Sequence, residues 1–122
     1  MSGNPVFNNE RIVDHYMNPR HFGKLSKYTH KGHFSNPSCG DEITVYLHIS
    51  QEKVKEIGFE GSGCSLCIAS MSLLSEKILG KEISELDIPE EDVLNLTGVA
   101  ADSKRKMCVL IGLYALGKAT GE

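Results

Sequence analysis

Residues 42–60, EITVYLHISQEKVKEIGFE, decide the fold. Over residues 42–50 apolar and polar side chains alternate and several are β-branched, and over residues 53–60 the alternation returns. This pattern is typical of half-buried strands, and the polar break at residues 50–52 predicts that the two strands form a hairpin. A further short strand is predicted over residues 30–35, which gives an antiparallel sheet of about three strands with one face to be covered by helices.

The segment before the sheet predicts a short amphipathic helix. Asn8 or Asn9 is placed to cap it, Asn18-Pro19 stops it, and residues 20–29 are predicted to be a connecting loop. At helical spacing along this segment lie Ile12, Val13, Tyr16 and Met17, which we expect on its apolar side.

The segment after the sheet predicts further helices. Residues 65–79 contain no helix breaker, residues 83–86 are predicted to form a helical turn, and residues 89–98 a short helix with a proline start and a glycine end. A last helix is predicted to begin at a cap, Asp102 or Ser103. Its core side is expected to contain Val109, Leu110, Leu113, Tyr114 and Leu116.

The order of these elements determines the predicted class. A helix, then strands, then helices is typical of an α+β fold, with helices packed on one face of a three-stranded antiparallel sheet. A chain of 122 residues has room for one domain with an ordinary core, so residues 1–122 are predicted to form a single domain.

Composition excludes several classes of function. The net charge is −3, which gives no reason to expect binding to nucleic acid or to an anionic membrane. No basic segment followed by an apolar run begins the sequence, and no stretch approaches the roughly 18 consecutive apolar residues of a membrane span. We therefore expect a soluble, cytoplasmic protein.

The four cysteines are the candidate functional residues. In a reducing compartment they are more typical of metal binding, catalysis or burial than of disulfides. Cys39 lies with Asp41 in the turn-forming stretch Asn-Pro-Ser-Cys-Gly-Asp, Cys64 follows Gly-Ser-Gly, and Cys108 follows Lys-Arg-Lys-Met. These segments are distant in sequence, so any site that they share has to be assembled by the fold.

The types of residue in this set indicate a soft-metal or iron–sulfur site. At a helix start, backbone N–H groups and the helix dipole stabilise a thiolate such as that of Cys64. A lone cysteine is more often a small buried residue, but three cysteines beside glycine-rich turns or helix starts favour ligation. Asp41 is a hard ligand among soft thiolates, which favours a cluster that is passed on, although an aspartate after Gly40 is also a common turn residue.

The basic residues before Cys108 support an anionic occupant of this site. Lys104, Arg105 and Lys106 are predicted in the first turn of the last helix, where each cation opposes the helix dipole by some tenths of a kcal/mol. A solvated surface is the alternative. An anionic cluster or an acidic partner beside Cys108 explains the placement better.

Cys67 and the histidines are not predicted to be ligands. Cys67 follows Cys64 by one helical turn, so the two cysteines could bind the same metal. Cys67 lies between apolar neighbours, however, and is predicted to be a small core residue. The histidines lack a ligand-like spacing to any cysteine and are predicted to be surface or structural residues: His15, His21, His30, His33 and His48.

The motifs together resemble a known family. The U-type iron–sulfur cluster assembly scaffolds, the IscU, SufU and NifU N-terminal group, are similar to this chain almost from end to end. The resemblance rests on Asp14-His15-Tyr16-x-Asn18-Pro19-Arg20 with Gly23, on Asn36-Pro37-x-Cys39-Gly40-Asp41, on Gly63-Cys64 followed by Ala69-Ser70 and Ser72, and on the basic segment ending in Cys108.

This resemblance implies a scaffold and not an enzyme. Such a protein receives sulfur from a cysteine desulfurase, assembles a labile [2Fe-2S] cluster and transfers it to apo-proteins. The cluster residues of the family correspond to Cys39, Asp41, Cys64 and Cys108. A homodimer formed on cluster binding could hold a [4Fe-4S] cluster across its exposed cysteines.

Two departures from the IscU pattern refine these expectations. Met107 replaces the histidine that usually precedes the last cysteine, so Asp41 becomes the stronger candidate for the fourth ligand, and a substitute role for Lys104 or Lys106 stays open. Residues 101–105 replace the Leu-Pro-Pro-Val-Lys segment that IscU offers to its dedicated Hsp70-type chaperone. This replacement speaks against chaperone-assisted transfer.

A zinc-binding, SufU-like sulfur-transfer partner of a cysteine desulfurase is the main alternative. Three thiolates and one aspartate satisfy tetrahedral zinc equally well. Against it, the interval between Cys64 and Cys108 lacks the insertion typical of SufU. A purely structural zinc is ranked last, because closed structural sites rarely include a carboxylate among flexible glycines.

The cysteine that accepts the persulfide must be reachable by a mobile donor. Flexibility of its loop ranks Cys39 first, ahead of Cys108 and then Cys64.

Overall fold

The computed structural model describes residues 10–37 and 40–121. The predicted caps of the first helix, Asn8 and Asn9, lie outside these residues. The order of the described elements, a helix, three strands and then helices, confirms the α+β class. The elements are α1 (Glu10–Met17), β1 (His30–Asn36), β2 (Asp41–Ser50), β3 (Lys53–Ser62), α2 (Ser65–Ile78), a 3₁₀ turn (Ile83–Glu85), α3 (Glu90–Thr97) and α4 (Lys106–Ala119).

The described strands form an antiparallel sheet in the order β1-β2-β3. The predicted hairpin is confirmed, because Ser50 pairs with Lys53 and the turn between them consists of Gln51 and Glu52. At the opposite end of β2, Asp41 pairs with Asn36 of β1. The first residues of β2 therefore lie between the last residues of the two neighbouring strands.

One face of the sheet is covered by α2 and α4. Alternate residues of β2, namely Ile43, Val45 and Leu47, are fully buried on this face. Leu110 and Leu116 of α4 are fully buried in the same core. Burying a side chain of this size stabilises the fold by about 1.5–3 kcal/mol, so this layer contributes substantially to the stability of the fold.

Helix α4 approaches β1 so closely that only glycine fits between them. A Cβ atom on Gly32 would overlap the backbone carbonyl of Ala115 and the backbone amide of Ala119. Further along this contact, the ring of Phe34 meets that of Tyr114 with 5.1 Å between centroids. Tyr114, predicted on the core side, is only half-buried. These contacts direct the start of α4 towards the end of β1.

Helix α1 is attached to α2 through polar contacts. The buried Ser72 hydroxyl accepts a hydrogen bond from the backbone amide of Arg20 at 2.8 Å and lies 2.7 Å from Nδ1 of His15. Arg20 also donates to Asp14 at 2.6 Å. Burial lowers the pKa of His15, so the imidazole is held in its neutral form. His15 is therefore a structural residue of this junction.

The predicted apolar side of α1 is wrong in part. Ile12 is buried, but Val13, Tyr16 and Met17 are 44%, 50% and 69% exposed. The reason is that His15 faces α2, where it contacts the Ser72 hydroxyl. With His15 on the buried side of α1, the other three apolar residues lie on the sides of the helix that face solvent.

The start of α4 also differs from the prediction. The helix begins at Lys106 with Arg105 as its N-cap residue, and neither Asp102 nor Ser103 caps it. The Ser103 hydroxyl instead accepts a hydrogen bond from the backbone amide of Arg105 at 3.0 Å, within a turn that precedes the helix. The prediction that Lys104, Arg105 and Lys106 all lie in the first helical turn is therefore wrong, because only Lys106 does.

None of the helices in the described ranges combines the length and apolar character needed to cross a membrane.

Candidate metal centre

Three chain segments meet at one end of the sheet. Asp41 is the first residue of β2, and its neighbour Glu42 pairs with Ser62, the last residue of β3. The chain then passes through one glycine to Cys64, the N-cap residue of α2, while α4 places Cys108 in its first turn. As a result, one ligand atom from each of Asp41, Cys64 and Cys108 lies within 4.8 Å of the other two.

The carboxylate of Asp41 is enclosed at this corner. Its residue is 5% exposed, and its Oδ2 atom is buried with no hydrogen-bond partner among the residues that the structure describes. Such an unsatisfied buried oxygen is rare in folded proteins and costs about 1–3 kcal/mol. A bound metal ion would satisfy it, which is the structural reason to regard this corner as a candidate metal centre.

Gly63 is the residue that allows this enclosure. A Cβ atom on Gly63 would lie 2.9 Å from Oδ1 and 3.0 Å from Cγ of Asp41, closer than side chains normally approach. The turn between β3 and α2 therefore closes against the carboxylate because position 63 has no side chain. The sequence marks Gly63 as part of a turn but gives no sign of this contact.

Cys64 presents its thiol at the start of α2. The residue is half-buried, has extended backbone angles of φ −71° and ψ 165°, and the cap carries no side-chain hydrogen bond within the described residues. Its carbonyl accepts hydrogen bonds from the amides of Cys67 at 3.0 Å and Ile68 at 3.2 Å. The N-terminal end of the helix dipole therefore lies at the candidate centre, where it favours an anionic ligand or occupant.

Cys108 enters the centre from α4 and is also half-buried. Its amide donates a hydrogen bond to the carbonyl of Arg105 at 3.0 Å, which closes the first turn of the helix. Lys104 is exposed, whereas Arg105 and Lys106 are half-buried, so cations do stand beside Cys108 although two of them precede the helix. Their charge is suited to offset several anionic ligands.

Cys39 lies outside the described residues, so its membership of the centre stays a prediction. The loop that contains it joins the paired residues Asn36 and Asp41. Cys39 precedes Asp41 by two positions in the sequence. Of the four predicted ligands, the structure brings three together.

Cys67 and the histidines stand apart from this group. Cys67 is 2% exposed and belongs to the hydrophobic core, as the sequence predicted. The convergent group found among residues 10–37 and 40–121 contains no histidine. His15 and His21 instead lie 2.7 Å and 2.9 Å from the hydroxyls of Ser72 and Ser75 of α2.

Solved structures share this fold over nearly the whole chain. A putative iron–sulfur cluster assembly scaffold protein for the SUF system from Fervidobacterium islandicum superposes with a TM-score of 0.78 and 25% identity, over 97% of this chain and 99% of that one. A NifU-like protein (N-terminal) from Brucella abortus superposes with a TM-score of 0.80 over 93% of this chain and 92% of that one. At 20% identity the second match supports the fold alone.

Curated relatives are similar in sequence. The iron–sulfur cluster assembly scaffold protein IscU 1 of Archaeoglobus fulgidus is 34% identical over 112 residues, which are 90% of this chain and 72% of that protein. The IscU scaffold protein of Aquifex aeolicus is 32% identical over 88% of this chain and 70% of its own length. The zinc-dependent sulfurtransferase SufU of Bacillus subtilis is 40% identical over a shorter stretch, 59% of this chain and 48% of that protein.

The family profile of the NifU-like N terminal domain matches residues 7–121, which include the whole candidate centre. With the sheet, the helices and the relatives in agreement, the chain belongs to the NifU-like N-terminal domain family, the family of the U-type iron–sulfur cluster scaffolds.

Proposed function

We propose that this protein is an iron–sulfur cluster assembly scaffold. It receives sulfur from a cysteine desulfurase, assembles a labile [2Fe-2S] cluster on Cys39, Asp41, Cys64 and Cys108, and transfers the cluster to apo-proteins. The observation that carries the proposal is the convergence of Asp41, Cys64 and Cys108 within 4.8 Å, with the buried Oδ2 of Asp41 left without a partner among the described residues.

The mixed ligand set is suited to a substrate that must leave. Thiolates hold iron firmly, and a carboxylate is a harder and weaker ligand for a cluster iron. Asp41 is therefore the position at which the cluster opens to an acceptor. The cations beside Cys108 offset the roughly −2 charge expected of a two-iron cluster with four monoanionic ligands.

Anaerobic reconstitution with ferrous iron and inorganic sulfide tests the ligand set. The wild-type protein should become red-brown and show the visible absorption of a [2Fe-2S] cluster, with matching iron and sulfide contents. Cys64→Ser and Cys108→Ser should lose most of that absorption, and Cys39→Ser should do the same. Cys67→Ala is the matched control, because Cys67 lies outside the group, and it should keep the cluster.

Transfer is tested with the same preparation and an apo-ferredoxin. Asp41→Ala should slow release of the cluster, because the site then lacks its labile carboxylate position. The acceptor's absorption or circular dichroism follows the rate. Release at the wild-type rate, or faster, counts against the role assigned to Asp41.

A zinc-dependent sulfur-transfer role is the second candidate. The similarity to the Bacillus subtilis sulfurtransferase supports it, and three thiolates with one carboxylate also suit tetrahedral zinc. Metal analysis of protein purified without air distinguishes the scaffold role from the zinc-dependent role. Iron with sulfide supports the scaffold, whereas a colourless protein with one zinc per chain supports sulfur transfer.

The remaining expectations concern partners. Variants that keep a single site cysteine, incubated with a desulfurase and cysteine, should gain the mass of one sulfur atom, first at Cys39, then at Cys108 and then at Cys64. Labelling confined to Cys108 would contradict that order. A homodimer with a [4Fe-4S] cluster, a cytoplasmic location and transfer without a dedicated Hsp70-type chaperone stay predictions.

A further inference from the structure

Cys67 is a thiol that the proposed ligand set leaves unused. It occupies the third position of α2, and Cys64 is the N-cap residue of the same helix. The Cys67 amide donates to the Cys64 carbonyl at 3.0 Å, so the two residues are joined by the first turn of the helix. Cys67 is therefore both a residue of the hydrophobic core and a second thiol one helical turn from a candidate ligand.

The helical turn gives this pair the spacing that a disulfide requires. In an α-helix, Cα atoms three residues apart are about 5 Å from each other. Disulfides in proteins span Cα separations of about 4.4–6.8 Å. The half-buried Cys64 and the buried Cys67 thus form a dithiol with one thiol at the site and one behind it in the core.

The chemistry of sulfur delivery needs two electrons, and a dithiol can supply them. A persulfide carries sulfur that is two electrons more oxidised than the sulfide of a cluster, so two electrons must be supplied before the sulfur can bridge iron. On the basis of the proposed function, we propose that Cys67 reduces sulfur carried on Cys64 to sulfide, with formation of a Cys64–Cys67 disulfide.

The step is balanced within the chain. The Cys67 thiolate attacks Sγ of Cys64, the bond from that Sγ to the outer sulfur breaks, and the outer sulfur leaves as HS⁻, which takes up the proton that the Cys67 thiol lost. The two cysteines are oxidised to a disulfide, and the transferred sulfur is reduced to sulfide. A dithiol reductant then restores both thiols, which returns Cys64 to its role as a ligand.

Sulfur that first arrives elsewhere in the centre can reach Cys64. The ligand atoms of Cys64 and Cys108 lie within 4.8 Å of each other, so an exchange between the two thiols requires only a small movement. Cys67 has no direct access to solvent, since it is 2% exposed. Its attack is therefore confined to sulfur that is already bound within the protein, and Cys64 is its neighbour one helical turn away.

The test compares the wild-type protein with Cys67→Ala under anaerobic conditions and without added thiol. One sample of each receives sulfur from a desulfurase that carries a persulfide and has been separated from cysteine. A second sample is treated briefly with sodium tetrasulfide and desalted. Released sulfide is trapped with monobromobimane, and peptide mass spectrometry identifies persulfides and disulfides. Binding of Co²⁺ verifies that Cys67→Ala retains the folded site.

In the wild-type protein we expect about one sulfide released for each sulfur received and a Cys64–Cys67 disulfide. In Cys67→Ala we expect at least about tenfold less sulfide and a persistent persulfide at Cys64. Equal sulfide release by both proteins, or a disulfide from Cys64 to Cys108 or Cys39 instead, would refute the role of Cys67. Failure of the desulfurase sample alone, with the tetrasulfide sample as expected, would refute sulfur acceptance from the desulfurase and leave the reduction step supported.

Discussion

Replacing Asp41 by alanine should stabilise the metal-free protein. The Oδ2 atom of Asp41 is buried without a partner among the described residues, and such an atom costs about 1–3 kcal/mol. Alanine removes it and keeps the Cβ atom, at the expense of a small void. We therefore expect the free energy of unfolding to rise by about 1–2 kcal/mol, which for a chain of this size raises the melting temperature by about 4–8 °C.

Urea and thermal unfolding in the presence of a chelator, followed by circular dichroism, measure this change. Asp102→Ala is the matched control, because its carboxylate is exposed and its removal should change stability little. With zinc added, the order should reverse. A ligand at about 100 times its dissociation constant stabilises by about 2.7 kcal/mol, and the variant with one ligand fewer binds less. An unchanged or lower stability of metal-free Asp41→Ala would refute the view that this carboxylate is held at a cost to the fold.

Three further substitutions test the contacts that shape the site and its support. Gly63→Ala should displace the Asp41 carboxylate, because the new Cβ atom would lie 2.9 Å from Oδ1, and the visible spectrum of bound Co²⁺ should weaken while the far-ultraviolet circular dichroism is kept. Burial lowers the pKa of His15 below its ordinary value of 6.5 in the folded protein. Its contribution to stability is therefore complete above about pH 6.5 and is lost as the pH falls from there through the lowered pKa. The urea midpoint should therefore drop less between about pH 7.5 and about pH 5.5 in His15→Gln than in the wild type, and equal drops would contradict the assignment. Gly32→Ala should lower the free energy of unfolding by about 2–3 kcal/mol or more, because its Cβ atom overlaps the backbone of α4, whereas Ser35→Ala on the same strand should change it little in urea unfolding.

Most of the elements could be predicted from local pattern. The hairpin over residues 42–60 follows from alternation and a polar break, which are properties of neighbouring residues. The start of α4 could not be predicted in this way. Ser103 is a good capping residue, but its hydroxyl accepts a hydrogen bond from the Arg105 amide in a turn that precedes the helix.

The side of α1 that is buried was not predictable for a related reason. Periodicity favoured Tyr16 and Met17, which are exposed. The burial of His15 depends on the Ser72 hydroxyl, 57 residues further along the chain, and no local pattern reports such a partner.

The sequence by itself determined the chemistry of the candidate centre. Thiols and a carboxylate beside glycine-rich turns and helix starts indicate a site for a soft metal or a cluster, and these properties belong to the residues wherever they lie. The family also follows from the motifs. Only the tertiary structure decided that Asp41, Cys64 and Cys108 meet within 4.8 Å, that Gly63 closes on the carboxylate, and that Cys67 stands one turn behind Cys64 in the core. The physical reason is that strand register and helix packing join residues that are far apart in the chain, and sequence spacing does not report those distances.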